Sequence, residues 1–502
     1  MQTLTGIRRL ARWYLALGGL PASPAGHRLH CERRGVKLRS LAIATTVILL
    51  WSCGSTFPVL RPRLADEGAV YLYFQPFPQE ADRLRFRIDA VSAVGSDGRE
   101  FPLAVAFGDL KRRTMTRQRL LAVGFLPAGE YTGFSFRAKD AFLATEEGEV
   151  PLLTTDSPAK VDLRFIVERS RGSVALLALR YAESVEAGTR FTPSFSAYLP
   201  VRPPVGLLGF VTNRRSGDIT VFNKKSLQVV GVITTGREPS GMALDQRAQR
   251  AYVAVSGEDT IGVIDILSAT VSYEIRLNPG DVPSELALTS DGRTLLSANK
   301  GSNTVSIIDP VSRFEQARVN VGIGPQSAVI DPTGRRAFVF NTPSSSVSVI
   351  DLASRSVFRT LQVDPGPERG QFNRGGDKLY VIHEQSSFVT VINPLTLAVT
   401  GRFRVRTPMA SIKVDPNTDQ VYLGGLRELN VGLYDPLSFA PVGFVDTGTS
   451  IVDMATDGDE NNLYMVGGGK NSLLVSNRLS KRIIGELDVG DGPYWVTVVG
   501  EN

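Results

Sequence analysis

Cysteine and histidine are almost missing from this chain of 502 residues, which has two of the first and three of the second. If the first 52 residues are removed, only Cys53 and His383 remain. An internal disulfide is then impossible, and so is a Cys/His zinc cluster, which needs three or four ligands. No C-x-x-C-H motif is present, which excludes covalent c-type haem. Charge of one sign is lacking as well. The net +6 is carried by residues 1–52, where eight basic side chains face Glu32 alone, so residues 53–502 stand near −1. A basic nucleic-acid surface is therefore not expected. Hydrophobic residues at 42% and charged residues at 21% fit globular domains, and 48 glycines with 29 prolines fit many turns.

Lys37 and Arg39 precede an apolar run, Leu41 to Trp51, and then Ser52-Cys53-Gly54. Eleven apolar residues suit a signal peptide and are too few for a membrane span of about 20. The order resembles a bacterial lipoprotein signal, with Leu50 three before the cysteine and Trp51 departing from the small residue usual at that place. That resemblance implies lipid modification of Cys53 and a membrane anchor through it. Residues 1–52 are read as leader, with Val36 as the true start, and residues 53–66 as a tether. Gly54 lacks the aspartate associated with inner-membrane retention, which directs the expectation to the cell envelope at the outer membrane.

Residues 67–200 read as seven or eight short strands without a helix. Val70, Leu72 and Phe74 alternate with Tyr71 and Tyr73, and Leu84, Phe86 and Ile88 alternate with Arg85, Arg87 and Asp89. This pattern predicts a β-sandwich. Leu126-Pro-Ala-Gly-Glu-Tyr131 resembles a turn of extracellular sandwich modules, and the region looks like a sandwich domain of bacterial lipoproteins. Pro200, Pro203 and Pro204 form a stiff linker.

Residues 205–502 repeat. Seven segments close a strand at Asn223, Asp265, Asp309, Asp351, Asn393, Asp435 and Asn477, at intervals of 42, 44, 42, 42, 42 and 42. Four short strands per unit of that length predict an all-β, seven-bladed β-propeller. The closing Asp or Asn is expected to accept backbone hydrogen bonds and start the next turn. The first unit lacks a strand and the last has a spare one, Tyr494 to Val499, so pairing 495–499 with 208–213 is expected to close the ring. Phe210-Val-Thr-Asn213, Ser306-Ile-Ile-Asp309 and Ser348-Val-Ile-Asp351 resemble the bacterial YVTN-type propeller repeat, related to the propeller of cytochrome cd1.

Haem d1 ligation needs histidine, and this region holds only His383, read as a packed or surface residue; no cofactor, metal or catalytic residue is assigned. Asp457 to Asn462 has alternating oxygen ligands like a calcium loop but falls at an inter-blade turn, and Gly467-Gly-Gly469 falls at a hairpin. A loop proline recurs at Pro239, Pro283, Pro325, Pro367, Pro408 and Pro493, with Ser450 in its place once. These loops precede the innermost strands, near the channel mouth, and display Gln326 and Glu368 among others. Arg237, Glu238, Arg369, Arg406 and Tyr494 form the candidate binding rim. The expected function is a lipid-anchored envelope protein that binds protein partners or serves as a scaffold. The alternatives are a channel-site hydrolase or lyase on carbohydrate, whose carboxylates would come from separate blades, and a small-ligand sensor.

Overall fold

A computed structural model describes residues 64–458 and 461–501. The leader, Cys53, most of the tether, and residues 459–460 of the acidic turn lie outside the described residues. Almost all of the structure is β, with one single-turn helix, Tyr181–Ser184, among the described residues.

The amino-terminal region contains thirteen strands rather than seven or eight. Ten of them join in one sheet that curls into a half-barrel. One strand joins the two halves of this sheet. Glu100–Val105 pairs through residues 100–103 with Leu84–Gly95 and through residues 104–105 with Arg119–Pro127, so it stitches both halves together. Phe74, Phe86, Phe134, Phe136, Phe191 and Phe195 fill the interior. The alternation in the first strand, Glu67–Phe74, is as the sequence implies, but both of its faces are buried. Val70, Leu72 and Phe74 point inward, while Tyr71 and Tyr73 pack with Phe222, Val229 and Leu487 of the repeat region.

Residues 208–498 form seven four-stranded antiparallel sheets, numbered I to VII in chain order. Sheet I contains Leu208–Asn213, Asp218–Asn223 and Gln228–Thr234, completed by Pro493–Val498. The completing strand pairs Val498 with Gly209, Val496 with Val211 and Pro493 with Asn213, which unites the two ends of the repeat region. In sheets II to VII the innermost strands are Pro239–Asp245, Pro283–Leu288, Pro325–Ile330, Pro367–Phe372, Ser411–Val414 and Ile451–Thr456. Each innermost strand lies beside the next, and the last beside Pro493–Val498, which in turn lies beside the first. The arrangement is propeller-like. Side-chain hydroxyls bind neighbouring sheets together: Thr212 Oγ1 donates to the Ser240 carbonyl (2.8 Å), Ser240 Oγ to that of Ser284 (2.7 Å) and Ser284 Oγ to that of Gln326 (2.6 Å).

The repeated Asp or Asn has one physical task in all seven sheets. Its Oδ1 accepts the backbone N–H three residues on, at 2.7 to 3.3 Å, from Asn223 to Asn477. The fifth residue of each turn is left-handed, from Leu227 (φ 51°) to Lys481 (φ 55°). Five of the recurring prolines start an innermost strand, a place where the missing N–H costs no ladder bond. Pro408 does not, because its strand begins only at Ser411.

The half-barrel docks on the outer strands of sheets I and VII, beside the seam where the ring closes. Tyr71 Oη donates to Asp218 Oδ2 (2.6 Å), and Gln118 Oε1 accepts from the Val229 N–H (2.7 Å). Asp488 accepts from Arg117 (2.5 Å), Arg119 (2.7 Å) and the Leu120 N–H (3.1 Å). An Asp488→Ala change takes this acceptor from Arg119 and the Leu120 N–H and leaves Arg117 with Glu486 (3.1 Å) in a mostly buried interface. Denaturant unfolding should show a loss of about 2–3 kcal/mol. A loss below ~0.5 kcal/mol, the range of an ordinary surface change, would mean that the contact does not hold the two parts together.

Candidate functional site at the central channel

The innermost strands present their second and third residues where the ladder is irregular. Register shifts fall between Pro283 and Leu286, Pro325 and Ser327, Pro367 and Arg369, and Ile451 and Asp453. Such bulges re-aim side chains. Here they turn long polar groups across the axis of the ring.

Arg369 of sheet V is the centre of this group and is 5% exposed. Its Nε donates to Glu285 Oε1 of sheet III (2.8 Å), and its NH1 donates to the Val452 carbonyl (2.7 Å) and Asp453 Oδ1 (3.2 Å) of sheet VII. Tyr494 of sheet I donates to the same Glu285 oxygen (3.0 Å) and accepts from Gln326 Nε2 of sheet IV (3.0 Å). Lys300 reaches Gln326 Oε1 (2.9 Å), and the Val496 N–H reaches Asp453 Oδ2 (2.9 Å). The Arg369 guanidinium lies 5.2 Å from the Tyr494 ring and 5.1 Å from that of Trp495. One cation thus faces two carboxylates from sheets on either side of its own, and side chains of five sheets close the channel.

The electrostatics follow from burial. Burial pushes Asp453 up to about 7, against the pull of Arg369 and the Val496 N–H. It also raises the Tyr494 phenol, with Glu285 adding to the effect. At the mouth Glu368 is half-buried, and burial pushes it up to about 7. Among the described residues Glu368 has no hydrogen-bond or ion-pair partner. Arg214 stacks on the Tyr494 ring at 4.0 Å, and its buried Nε has no hydrogen-bond partner among the described residues. The mouth therefore holds a carboxyl and a guanidinium, each with unused hydrogen-bonding capacity and each felt electrostatically by Tyr494.

Of the sequence-expected rim, Arg369 and Tyr494 come together. Arg237 does not join them: it is exposed, donates to the Gly257 carbonyl (2.7 Å) and faces Glu258 (3.7 Å). Glu238 is exposed with φ 57°, and Arg406 is exposed. These three sit in the loops before the strands, where side chains splay onto the outer rim. Glu285, Asp453 and Arg214 escaped the sequence reading. Counting two residues on from the recurring proline would have found Glu285, since Pro283-to-Glu285 repeats Pro367-to-Arg369. His383 is fully buried on its strand, with Nε2 2.9 Å from Thr390 Oγ1, and burial holds its pKa down at about 4. Asp457 is buried against Lys224 (2.9 Å). Among the described residues no group of three His, Cys, Asp or Glu is placed to hold a metal ion.

The family of YNCE-like β-propellers matches residues 201–412. Among solved structures, a chain of Kuenenia stuttgartiensis hydrazine synthase is similar at 20% identity. The match covers 55% of this chain and 93% of that one, with a TM-score of 0.50. A functionally unknown protein from Desulfotomaculum acetoxidans is similar at 14% identity, over 59% of this chain and 99% of that one, with a TM-score of 0.52. Dihydro-heme d1 dehydrogenase NirN matches at 12% identity over 60% of this chain and 77% of that one, with a TM-score of 0.49. No curated protein matches. The family match and the likeness to the Kuenenia and Desulfotomaculum chains establish a propeller-like fold.

Glu368 gives a pH test of the mouth. Its folded value of about 7 lies above the ordinary 4.5, so between these values the folded state keeps a proton that the unfolded state has lost. Stability from this group is then present below pH 4.5 and lost as pH rises through 7. Glu368→Gln removes the group. The variant should match the parent near pH 4 and exceed it at pH 8 by up to ~3 kcal/mol. A pH-independent difference would contradict a buried, proton-holding Glu368.

Proposed function

We propose that the seven sheets are the blades of a seven-bladed propeller, preceded by a sandwich-like domain and tethered to the cell envelope through a lipid on Cys53. In this reading the protein binds a small polar ligand at the channel mouth. Such a ligand carries an anionic group for Arg214 and Lys300 and a hydroxyl or amine for Glu368. The observation that carries this is the pair of groups beside Tyr494 with unfilled hydrogen-bonding capacity, the Glu368 carboxyl and the Nε of the stacked Arg214. Ligand binding would fill that capacity without moving the backbone.

A second reading is a hydrolase or lyase on carbohydrate, favoured by Glu368, whose value near 7 suits a general acid. Calorimetric titration of the full chain with hexuronic acids and amino acids separates the two. The binding reading expects saturable heat that disappears in Arg214→Met and Glu368→Gln, with no product formed. Turnover of an oligosaccharide uronide that is lost in Glu368→Gln would establish the enzyme instead. Absence of both heat and turnover would remove the channel from the function and leave protein partners as its basis. The anchor has its own check: an intact mass showing unmodified Cys53 with residues 36–52 attached would refute it.

A further inference from the structure

The end of the ring opposite the channel mouth carries an apolar pattern that the channel does not explain. Antiparallel pairing puts the start of each innermost strand at one end of the ring and the Asp/Asn turns at the other. The shared hydrogen bond of those turns fixes the same geometry in every sheet, so the residue two after each Asp or Asn occupies one repeated place. In sheets II, III, V, VI and VII that residue is Leu267 (54% exposed), Val311 (75%), Leu395 (79%), Leu437 (81%) and Leu479 (77%). Sheet IV has Ala353 there, and sheet I, where the half-barrel docks, has Lys225.

Single exposed apolar residues are ordinary, but five at one repeated place form a recurrent apolar rim, broken at sheets I and IV. The outermost strands extend it from the turn upward with Phe314, Phe358, Phe444 and Ile484, all more than half exposed. Cations are interleaved. Arg313 and Arg355 are exposed in the same turns, and the Arg336 guanidinium lies 4.9 Å from the Phe358 ring. The aspartates that share these turns direct an oxygen back to backbone N–H groups.

Identical turns around a ring put their tips at one height. A ring of apolar tips with exposed arginines in the turns of sheets III and IV suits a bilayer surface. Apolar side chains enter the boundary between headgroups and acyl chains, and guanidinium groups meet phosphates. The eleven residue-to-residue steps from Cys53 to Leu64 reach at most ~40 Å, which permits this contact without being needed for it. We infer that the turn face bearing Leu267, Val311, Leu395, Leu437 and Leu479 lies flat on a bilayer containing anionic lipid. The channel mouth then faces the aqueous side.

The test uses the full chain with Cys31→Ser and Cys53→Ser, so that acylation plays no part and the proposed anchor is not at issue. An environment-sensitive dye is placed on Leu437→Cys or, at the opposite end, on Arg237→Cys. Vesicles contain phosphatidylcholine with or without phosphatidylglycerol at about one lipid in three. The expected result is a blue shift at 437, stronger with the anionic lipid, and none at 237. Replacing the five rim residues with serine should lower vesicle partitioning on the order of tenfold. Binding through the apolar run at 41–51 would bring the chain to the vesicle without shifting the 437 label, and that outcome overturns the inference. A blue shift at 437 that grows with protein concentration in the absence of vesicles would assign the face to a second copy and overturn it as well.

Discussion

A chain ending at Gly492 will lose most of its folding free energy. The strand Pro493–Val498 supplies Val496, 2% exposed, and Val498, fully buried, to the core of sheet I. At about 1.5–3 kcal/mol for each buried valine, these two side chains alone account for ~3–6 kcal/mol. The loss continues in the backbone, because Leu208–Asn213 would become an unpaired edge between two sheets. It continues also in the tail, where Lys224 Nζ donates to the Val499 carbonyl (2.6 Å) and Lys413 pairs with Glu501. A domain holds only ~5–15 kcal/mol in all, so the shortened chain should unfold at far lower denaturant or fail to accumulate as a folded species. Failure to fold would not by itself identify the cause. Val496→Asp in the complete chain should reproduce the loss, and a peptide of residues 491–502 added to the shortened chain should restore part of it. Unchanged unfolding of both variants would show that closure at this strand is dispensable.

The second large effect is expected at Arg369. Replacing it with methionine keeps much of the volume and removes the cation shared by Glu285 and Asp453. Breaking a buried pair from one side costs about 3–5 kcal/mol, because a buried charge is left without compensation. Here the cost has a pH signature. Asp453 already holds its proton up to about 7 with the arginine present, and without it that carboxyl would stay protonated to higher pH in the folded state. Protonated carboxyls need no cation, so the variant should be damaged most at pH 8 and least at pH 5. Combining Arg369→Met with Glu285→Gln and Asp453→Asn should recover much of the loss at pH 8. Equal damage at both pH values, with no recovery in the triple variant, would reduce Arg369 to a packing residue.

The repeat region was legible because its signals are local. An Asx turn and a strand-opening proline each need only a few neighbouring residues, so their recurrence shows in the sequence, and the four-stranded sheets follow. The amino-terminal sheet was less legible. Alternation at Val70, Leu72 and Phe74 reveals a strand, but the partners of Glu100–Val105 depend on contacts made far along the chain. Burial of the Tyr71 and Tyr73 face was hidden for the same reason, since its cover comes from residues 222 to 487. At the candidate site, proline spacing led to Arg369 and Tyr494. It could not show that Arg369 meets Glu285 and Asp453, because that depends on which sheets face each other across the axis. Arg237 and Arg406 share the loops and lack the bulged strand position that turns a side chain inward.

The docking of the half-barrel beside the closing seam bears on how the chain is assembled in time. Synthesis proceeds from the amino terminus, and the half-barrel can form while sheets II to VII are still being made. Sheet I must wait, because its innermost strand lies some 280 residues downstream of the strand it pairs with, Leu208–Asn213. During that interval Gln118 offers an acceptor to the outer strand of sheet I and Tyr71 a donor to Asp218 of the strand beside it, and Arg117 and Arg119 stand ready for Asp488 of sheet VII. The first-made part of the molecule thus holds both lips of a joint that the last-made strand seals. Long-range pairing of this kind is slow and leaves an edge open to aggregation, and a preformed half-barrel shortens the exposure of that edge.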